Sequence, residues 1–286
     1  MSSALVRQQR QPSDSDAGVS IKFADVLLQS APAVARRLGT VGRALVAAAI
    51  GQRPFDRVTR RVHGATPLAF LNTAIRVLDL RIEVHGAERL PQSAECIVVA
   101  NHPCGGAEGI ALLRLLLQHY GRVIVPANRL LARLGPLASL LAPVDVFGAK
   151  RSGARVPEEL APGGTPLLLF PAGRTARERG GAMREFPWKR GFVRLARRTG
   201  RPVVPVCVVA RPSALFRRVA QLRRALGSPI NFEMFLLVRE VLTRRRPITL
   251  VFEPPIAPEA WTSDCTDLAH AQRIKRLLEE RYAQHR

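Results

Sequence analysis

The sequence predicts an α/β protein in which helices cover a mixed, largely parallel sheet, preceded by an N-terminal helical extension. Two features after residue 80 indicate the sheet: short apolar runs alternate with segments of helical periodicity, and several runs are apolar at every position. Such alternation is typical of strands joined by crossover helices, and fully apolar strands are typical of sheets buried on both faces. Before residue 80, apolar residues recur at intervals of three and four, which indicates amphipathic helices.

The N-terminal part is predicted to contain a tail and a helical region. Residues 1–20 are polar, lack the apolar segment of a secretory signal and are predicted to be disordered. Residues 21–80 are predicted to be helical, with periodic segments at 23–38, 41–51 and 67–80. Arginines are interleaved with the apolar residues of this region, which is typical of an anchor on a membrane surface. A helical layer packed on the main domain would show the same pattern.

Residues 81–286 are predicted to form one main domain, and the charge-rich segment 53–64 to be the seam between the helical region and the sheet. The strand patterns lie at 80–86, 96–101, 122–127, 143–148, 166–173, 202–210 and 248–256. The helical patterns lie at 109–119, 129–141, 191–199, 213–226, 232–244 and 267–283.

The charge predicts an anionic partner. The chain carries 44 Lys and Arg residues against 22 Asp and Glu, a formal charge of +22. Such a chain is attracted to nucleic acid or to the phosphates of a bilayer. Only 5% of the residues are aromatic, and no basic-plus-aromatic module of the RNA-reading kind is visible, which favours lipid over nucleic acid. No uncharged apolar run reaches the ~18 residues that span a bilayer, so the protein is predicted to lie on a membrane without crossing it.

The cysteines predict a reducing, cytosolic setting. Four are present, without the Cys-x-x-Cys spacing of metal or redox sites: Cys96, Cys104, Cys207 and Cys265. Disulfide frameworks and structural zinc sites use closer, paired spacings.

The stretch 97–109 is the first candidate for chemistry. Four apolar residues are followed by Asn101, His102 and Pro103, and then by a glycine-rich turn that contains Glu108. Loops at the carboxyl ends of strands are where α/β sheets carry their active groups. Helical spacing resumes after the turn, so Glu108 is predicted near a helix N-terminus, where it can orient the imidazole and stabilise its charged form. Because no Gly-x-Ser-x-Gly motif supplies a nucleophile, the base would activate a hydroxyl of the substrate.

Spacing alone leaves other interpretations of this stretch open. Glu108 can be a capping acid at a helix N-terminus, with His102 hydrogen-bonded to the backbone. A metal site is weaker, because His102 and Cys104 have no second pair of ligands at suitable spacing.

A second candidate lies at 167–181, where an apolar strand ends in Pro171, Gly173 and Arg174. Glycine lets the backbone approach a ligand, and a guanidinium binds phosphate through two hydrogen bonds. Another strand is followed by Arg129. Because these strand ends can converge on one edge of the sheet, together they predict an anionic substrate better than any one of them alone.

The order of these stretches resembles a known family. Taken together, "ANHPCGGAEG" (100–109), "VPANRLL" (125–131), "LLLFPAGR" (167–174) and "VVPVCV" (203–208) are similar to the sequence blocks of PlsC-like glycerolipid and lysophospholipid acyltransferases. The resemblance covers roughly residues 75–255 and is closest to the hemolysin-like or lyso-ornithine-lipid acyltransferase branch. Four ordered blocks are much more specific than any one block.

The chain departs from the family pattern at two places. The first block usually has its acid at the position of Ala107, whereas here the acid is Glu108, one residue further on. The third block usually carries a glutamate where this chain has Ala172. The family's phosphate-binding arginine maps to Arg174, with Arg177 as the alternative.

The resemblance implies an enzyme that moves a fatty acyl group from an acyl-CoA or acyl-carrier-protein thioester to the hydroxyl of a lyso-lipid, 1-acylglycerol-3-phosphate or similar. It implies a peripheral protein on the cytoplasmic face of the membrane that needs no metal and no cofactor. His102 would be the general base and Glu108 its orienting acid, and the substrate would be bound by Arg174, Gly173, Pro171, Arg129 and Asn101. The alternatives are a lyso-ornithine-lipid acceptor and a non-catalytic peripheral protein that binds anionic lipid.

Overall fold

The computed structural model describes residues 21–30, 32–62, 64–128, 131, 134–144, 163–179, 182–225, 236, 239–242 and 247–285. The predicted disordered tail at 1–20 lies outside the described residues. The helices are α1 (Phe23–Ser30), α2 (Pro32–Ile50), α3 (Gln52–Arg61), α4 (Pro67–Val77), α5 (Ala107–Tyr120), α6 (Gly191–Thr199), α7 (Ala214–Ala225) and α8 (Asp267–Gln284).

The strands are β1 (Ile82–His85), β2 (Ile97–Ala100), β3 (Val125–Asn128), β4 (Leu141–Val144), β5 (Leu167–Leu169), β6 (Arg177–Arg179), β7 (Ala182–Arg184), β8 (Val203–Val209) and β9 (Ile248–Phe252). Five of them form the central sheet in the order β1-β9-β8-β2-β5. Neighbouring strands run parallel except β8 and β9, which are antiparallel. The prediction of a mixed, largely parallel sheet is therefore confirmed.

Helices cover both faces of this sheet. All four residues of β2 are buried, and they alternate between two apolar clusters. Val98 and Ala100 pack with residues of α4 and α5, whereas Ile97 and Val99 pack with residues of α6 and α8. This double burial explains why the central strands are apolar at every position. The result is a three-layer α/β/α arrangement with β2 at its centre.

Two smaller strand pairs lie outside the central sheet. β3 and β4 form a parallel ribbon, which meets the sheet through a bridge between Ile124 and Leu167. β4 begins at Leu141, two residues before the predicted strand, and 145–148 lie outside the described residues. β6 and β7 form an antiparallel hairpin that the sequence did not predict, because three-residue strands rich in charge carry no apolar alternation.

The helical region before β1 has the predicted secondary structure, with two differences. The first predicted segment is divided between α1 and α2, and α2 continues through the second segment with a kink at Gly39, whose φ is 63°. The charge-rich segment predicted as a seam is mostly helix, since α3 buries Val58 and exposes its arginines. α1 and α2 pack in two small clusters of their own, whereas α4 belongs to the cluster on the sheet. Among the described helices, none combines the length and apolarity needed to cross a bilayer.

Candidate active site

The loop after β2 brings an imidazole and a carboxylate together. β2 ends at Ala100, His102 follows two residues later, and α5 begins at Ala107 with Glu108 in its first turn. The Nδ1 atom of His102 lies 3.2 Å from the Oε1 atom of Glu108. His102 and Glu108 therefore form the pair that the sequence predicted. His102 follows the carboxyl end of a buried parallel strand, and Glu108 lies at the N-terminus of the next helix.

Glycine makes this tight connection possible. Gly105 has a φ of 86°, in the left-handed region that side chains disfavour. A Cβ atom on Gly106 would lie 2.6 Å from Cγ2 of Val241, so any larger residue there would force a shift. The turn thereby places the backbone of Cys104 and Gly105 directly against the Glu108 carboxylate.

Glu108 is completely buried and accepts hydrogen bonds from the backbone of its own loop. Its Oε1 accepts from the N–H groups of Cys104 (2.7 Å) and Gly105 (2.8 Å). Burial raises the pKa of the Glu108 carboxyl, but the bond to His102, the attraction of its ring and the backbone donors outweigh burial and leave the pKa below its ordinary value. Glu108 is therefore a buried carboxylate that stays ionised beside an imidazole.

The side chain of His102 is partly exposed. Its exposed fraction is 17%, and because Nδ1 is buried, the exposed part belongs to its other side-chain atoms. The imidazole ring lies against the ring of Phe170, with ring centroids 4.3 Å apart. With Nδ1 next to the carboxylate, Nε2 is the nitrogen available to take a proton from a ligand.

The backbone of His102 is held on both sides by the segment around the β6–β7 hairpin. Its N–H donates to Oε1 of Glu185 at 2.9 Å, and its carbonyl accepts from the N–H of Ala176 at 2.8 Å. Sequence reasoning missed Glu185. No local signal marks it, because its contact with His102 joins residues 83 positions apart.

Asn101, predicted as a substrate-binding residue, is buried and bonded to β8. Its amide Nδ2 donates to the carbonyl of Val208 at 2.9 Å, and its Oδ1 accepts from the N–H of Val208 at 2.6 Å. The side chain extends the pairing of β2 and β8 by one residue and so fixes the start of the His102 loop. Its predicted substrate contact stays a prediction.

The turn after β5 carries the predicted anion-binding residues. Gly173 is exposed with a φ of 66°, and Pro171 is buried with its carbonyl accepting from the N–H of Lys189 at 3.1 Å. Arg174 is exposed, and its guanidinium lies 4.8 Å from the centroid of the Phe186 ring. Arg177, the alternative, is buried and donates to backbone carbonyls of its own turn. Arg174 is therefore the better placed of the two arginines for an external ligand.

Arg129, another predicted substrate-binding residue, lies outside the described residues.

The fold and the site define an α/β protein that holds an imidazole–carboxylate pair at the carboxyl edge of its sheet. Comparison with known proteins identifies the family of this α/β protein. The model of the acyltransferase family matches residues 25–256. A lyso-glycine lipid O-acyltransferase of Phocaeicola vulgatus is 34% identical over 212 residues, which cover 73% of this chain and 76% of that protein.

A second lyso-glycine lipid O-acyltransferase, from Bacteroides thetaiotaomicron, is 32% identical over 212 residues, covering 73% of this chain and 78% of that protein. The crystal structure of the 1-acyl-sn-glycerophosphate acyltransferase PlsC from Thermotoga maritima aligns with a TM-score of 0.47 and 17% identity, covering 90% of this chain and 95% of that chain.

The chain belongs to the acyltransferase family. The family that the four sequence blocks predicted is thereby confirmed, and the protein is an enzyme of the acyltransferase class. Family membership favours catalysis over the non-catalytic alternative.

Glu108→Gln is expected to make the free energy of unfolding less dependent on pH in the acid range. Because the pKa of Glu108 in the folded protein lies below its ordinary value of 4.5, the ionised carboxylate stabilises the fold above about pH 4.5. This contribution is lost as the pH falls through the lower, folded-state pKa. Free energies of unfolding in urea at about pH 7 and about pH 3.5 measure the difference, with the exposed variant Glu280→Gln as the matched control. An identical fall in stability for wild type and Glu108→Gln would contradict the account.

Proposed function

We propose that this enzyme is a lyso-lipid O-acyltransferase, which transfers a fatty acyl group from an acyl-CoA or acyl-carrier-protein thioester to the hydroxyl of a lyso-lipid. The observation that carries the proposal is the pair of His102 and Glu108, with Nδ1 and Oε1 3.2 Å apart and the histidine side chain partly exposed. Membership of the acyltransferase family and the names of the two curated relatives support the reaction class and the lyso-lipid acceptor.

The pair suits acyl transfer to an alcohol. His102 Nε2 takes the proton of the acceptor hydroxyl while its oxygen attacks the thioester carbonyl. The tetrahedral intermediate collapses, the C–S bond breaks, and the proton goes from the imidazolium to the leaving thiolate. Glu108 holds Nδ1–H and balances the positive charge that forms on the ring. The products are an ester and a free thiol, and the proposed reaction uses no metal and no prosthetic group.

Arg174 is the proposed contact for the anionic part of the acceptor, next to the backbone of Pro171 and Gly173. A guanidinium binds either a phosphate or a carboxylate through two parallel hydrogen bonds. The names of the curated relatives make lyso-glycine lipid the first acceptor to test. 1-Acylglycerol-3-phosphate and lyso-ornithine lipid are the alternatives, and hydrolysis, with water as the acceptor, is the competing reaction.

His102→Ala is expected to reduce transfer by ~10²–10⁴-fold, which is what a positioned base contributes. The assay follows free thiol released from acyl-CoA, with lyso-lipid present and with water as the sole acceptor. His119→Ala, an exposed histidine in the last turn of α5, is the matched control and should keep wild-type turnover. A folded His102→Ala enzyme with wild-type transfer would refute the role of this residue, and equal thiol release without lyso-lipid would indicate a hydrolase.

Arg174→Ala is expected to raise the KM for the anionic acceptor about 10-fold or more, with little change in kcat, because it removes a charge-assisted contact made before and during the reaction. Steady-state kinetics with lyso-glycine lipid and with 1-acylglycerol-3-phosphate measure the effect and compare the two head groups. Arg273→Ala, an exposed arginine of α8, should leave both KM values unchanged. If Arg174→Ala also leaves them unchanged, the head group binds elsewhere.

The enzyme is proposed to lie on the cytoplasmic face of the membrane through α2. This helix exposes Val41 (73%) and Leu45 (66%) on its surface, and Arg36 and Arg37 are exposed one to two turns earlier. Exposed apolar side chains and arginines on one helix suit the boundary of an anionic leaflet. The cysteines are free thiols, which supports the reducing side of the membrane.

Val41→Glu with Leu45→Glu is expected to lower binding to anionic liposomes about 10-fold, because two apolar side chains that would enter the bilayer boundary become charges that the anionic lipid repels. Co-sedimentation with vesicles containing anionic phospholipid measures the loss. Leu277→Glu, at a 38% exposed leucine of α8, is the control for the same change elsewhere. Unchanged sedimentation of the double variant would exclude α2 as the anchor.

A further inference from the structure

A second carboxylate contacts the backbone of the proposed base. Glu185 follows β7, and its Oε1 accepts the backbone N–H of His102 at 2.9 Å. Its other oxygen, Oε2, accepts the indole N–H of Trp188 at 3.1 Å. Both oxygens therefore act as acceptors, which is the role of an ionised carboxylate.

We propose that Glu185 is a positioning residue for the acyl transfer: it fixes the backbone of His102 while Glu108 fixes its ring, and its negative charge stabilises the imidazolium that forms during the reaction. This inference rests on the proposed role of His102 as the base. Glu185 touches neither substrate nor reacting atoms in this role and acts through His102.

The carboxylate of Glu185 is itself held by buried structure. Trp188 is only 1% exposed and belongs to the apolar cluster between the sheet and α8. Its carbonyl accepts from Nε2 of Gln272, on α8, at 2.7 Å. Trp188 is thus fixed by apolar packing and by Gln272. Glu185 therefore connects the His102 loop to α8 through Trp188. Reacting groups need this kind of support, because displacement of about 1 Å costs roughly 10²-fold in rate.

Several charged groups face Glu185. Burial raises the pKa of its carboxyl, the donors on His102 and Trp188 and the imidazole lower it, and the Glu108 charge raises it, so that the pKa lies above the ordinary value. Glu185, Lys275 and Glu279 together line a small cavity of about 20 Å³, which has room for one water molecule.

Lys275 does not neutralise Glu185 across that cavity, since its Nζ atom is paired with Oε1 of Glu279 at 2.8 Å. The imidazolium of His102, which forms during the reaction, is a positive charge that acts on Glu185. A carboxylate whose attraction to the ring grows in the transition state favours that state over the ground state.

The test is Glu185→Gln in the full-length enzyme, assayed by thiol release and by a pH profile of kcat/KM. The variant keeps the shape of the side chain but removes the charge, and its amide group opposes one of the two N–H donors. We expect kcat to fall roughly 10- to 100-fold with the KM for acyl-CoA and lyso-lipid unchanged. We expect the acid limb of the profile to move to lower pH by at least about 0.3 unit, because the imidazolium loses a neighbouring negative charge.

Two further variants keep the inference open to refutation. Glu185→Asp retains the charge with a shorter reach, so it should lose kcat while its acid limb stays at the wild-type pH. Glu280→Gln, at an exposed glutamate of α8, removes the same charge from a solvated position and should match wild type in both readouts.

A folded Glu185→Gln enzyme with wild-type kcat and an unmoved acid limb would overturn the inference. If the Gln variant does not fold, an acid limb displaced in Glu185→Asp would overturn it. Failure of the inference is distinguishable from failure of the proposed function: an inactive His102→Ala beside a normal Glu185→Gln rejects only the role of Glu185, whereas an active His102→Ala rejects the base itself.

Discussion

The structure of the site depends on one buried contact, between the Glu108 carboxylate and Nδ1 of His102. A carboxylate with no exposed surface is costly unless donors surround it, and here two backbone N–H groups of its own loop share Oε1 with the imidazole. The left-handed backbone of Gly105 forms the turn that brings these N–H groups close, and Gly106 leaves room for the side chain of Val241. Loop, helix start and imidazole therefore form one unit, in which the acid fixes the ring and the ring helps to keep the acid ionised.

The sheet supplies the rigidity that this unit needs. β2 lies between β8 and β5, buried on both faces, and Asn101 extends its pairing with β8 by side-chain bonds to Val208. The His102 peptide is then held by Ala176 and Glu185 from the segment that follows β5. Elements distant in sequence thus converge on one residue at the carboxyl edge of the sheet. The same edge carries Arg174 on its exposed turn, so base and anion contact follow neighbouring strands.

Local patterns were sufficient for some parts of this arrangement and insufficient for others. Apolar runs predicted β2, β5, β8 and β9, because a strand buried on both faces has a strong local signature. The glycine turn after β2 predicted that His102 and Glu108 would meet. The contact of Glu185 with His102 and the two hydrogen bonds of Asn101 to β8 had no such signature, since their partners are 83 and 107 residues away in the sequence. The hairpin of β6 and β7 was not predicted for a related reason. The residues on either side of it bond to the distant His102 loop, and its own composition gives no strand pattern.

The tautomer of His102 shows whether the Glu108 carboxylate orients the imidazole. ¹⁵N NMR of the imidazole in the folded enzyme, at a pH where the ring is neutral, reports which nitrogen carries the proton. If the buried Glu108 carboxylate orients the ring, the proton is on Nδ1 and Nε2 is free to accept one from an alcohol. A neutral ring protonated on Nε2, with Nδ1 bare beside the carboxylate, would contradict the account.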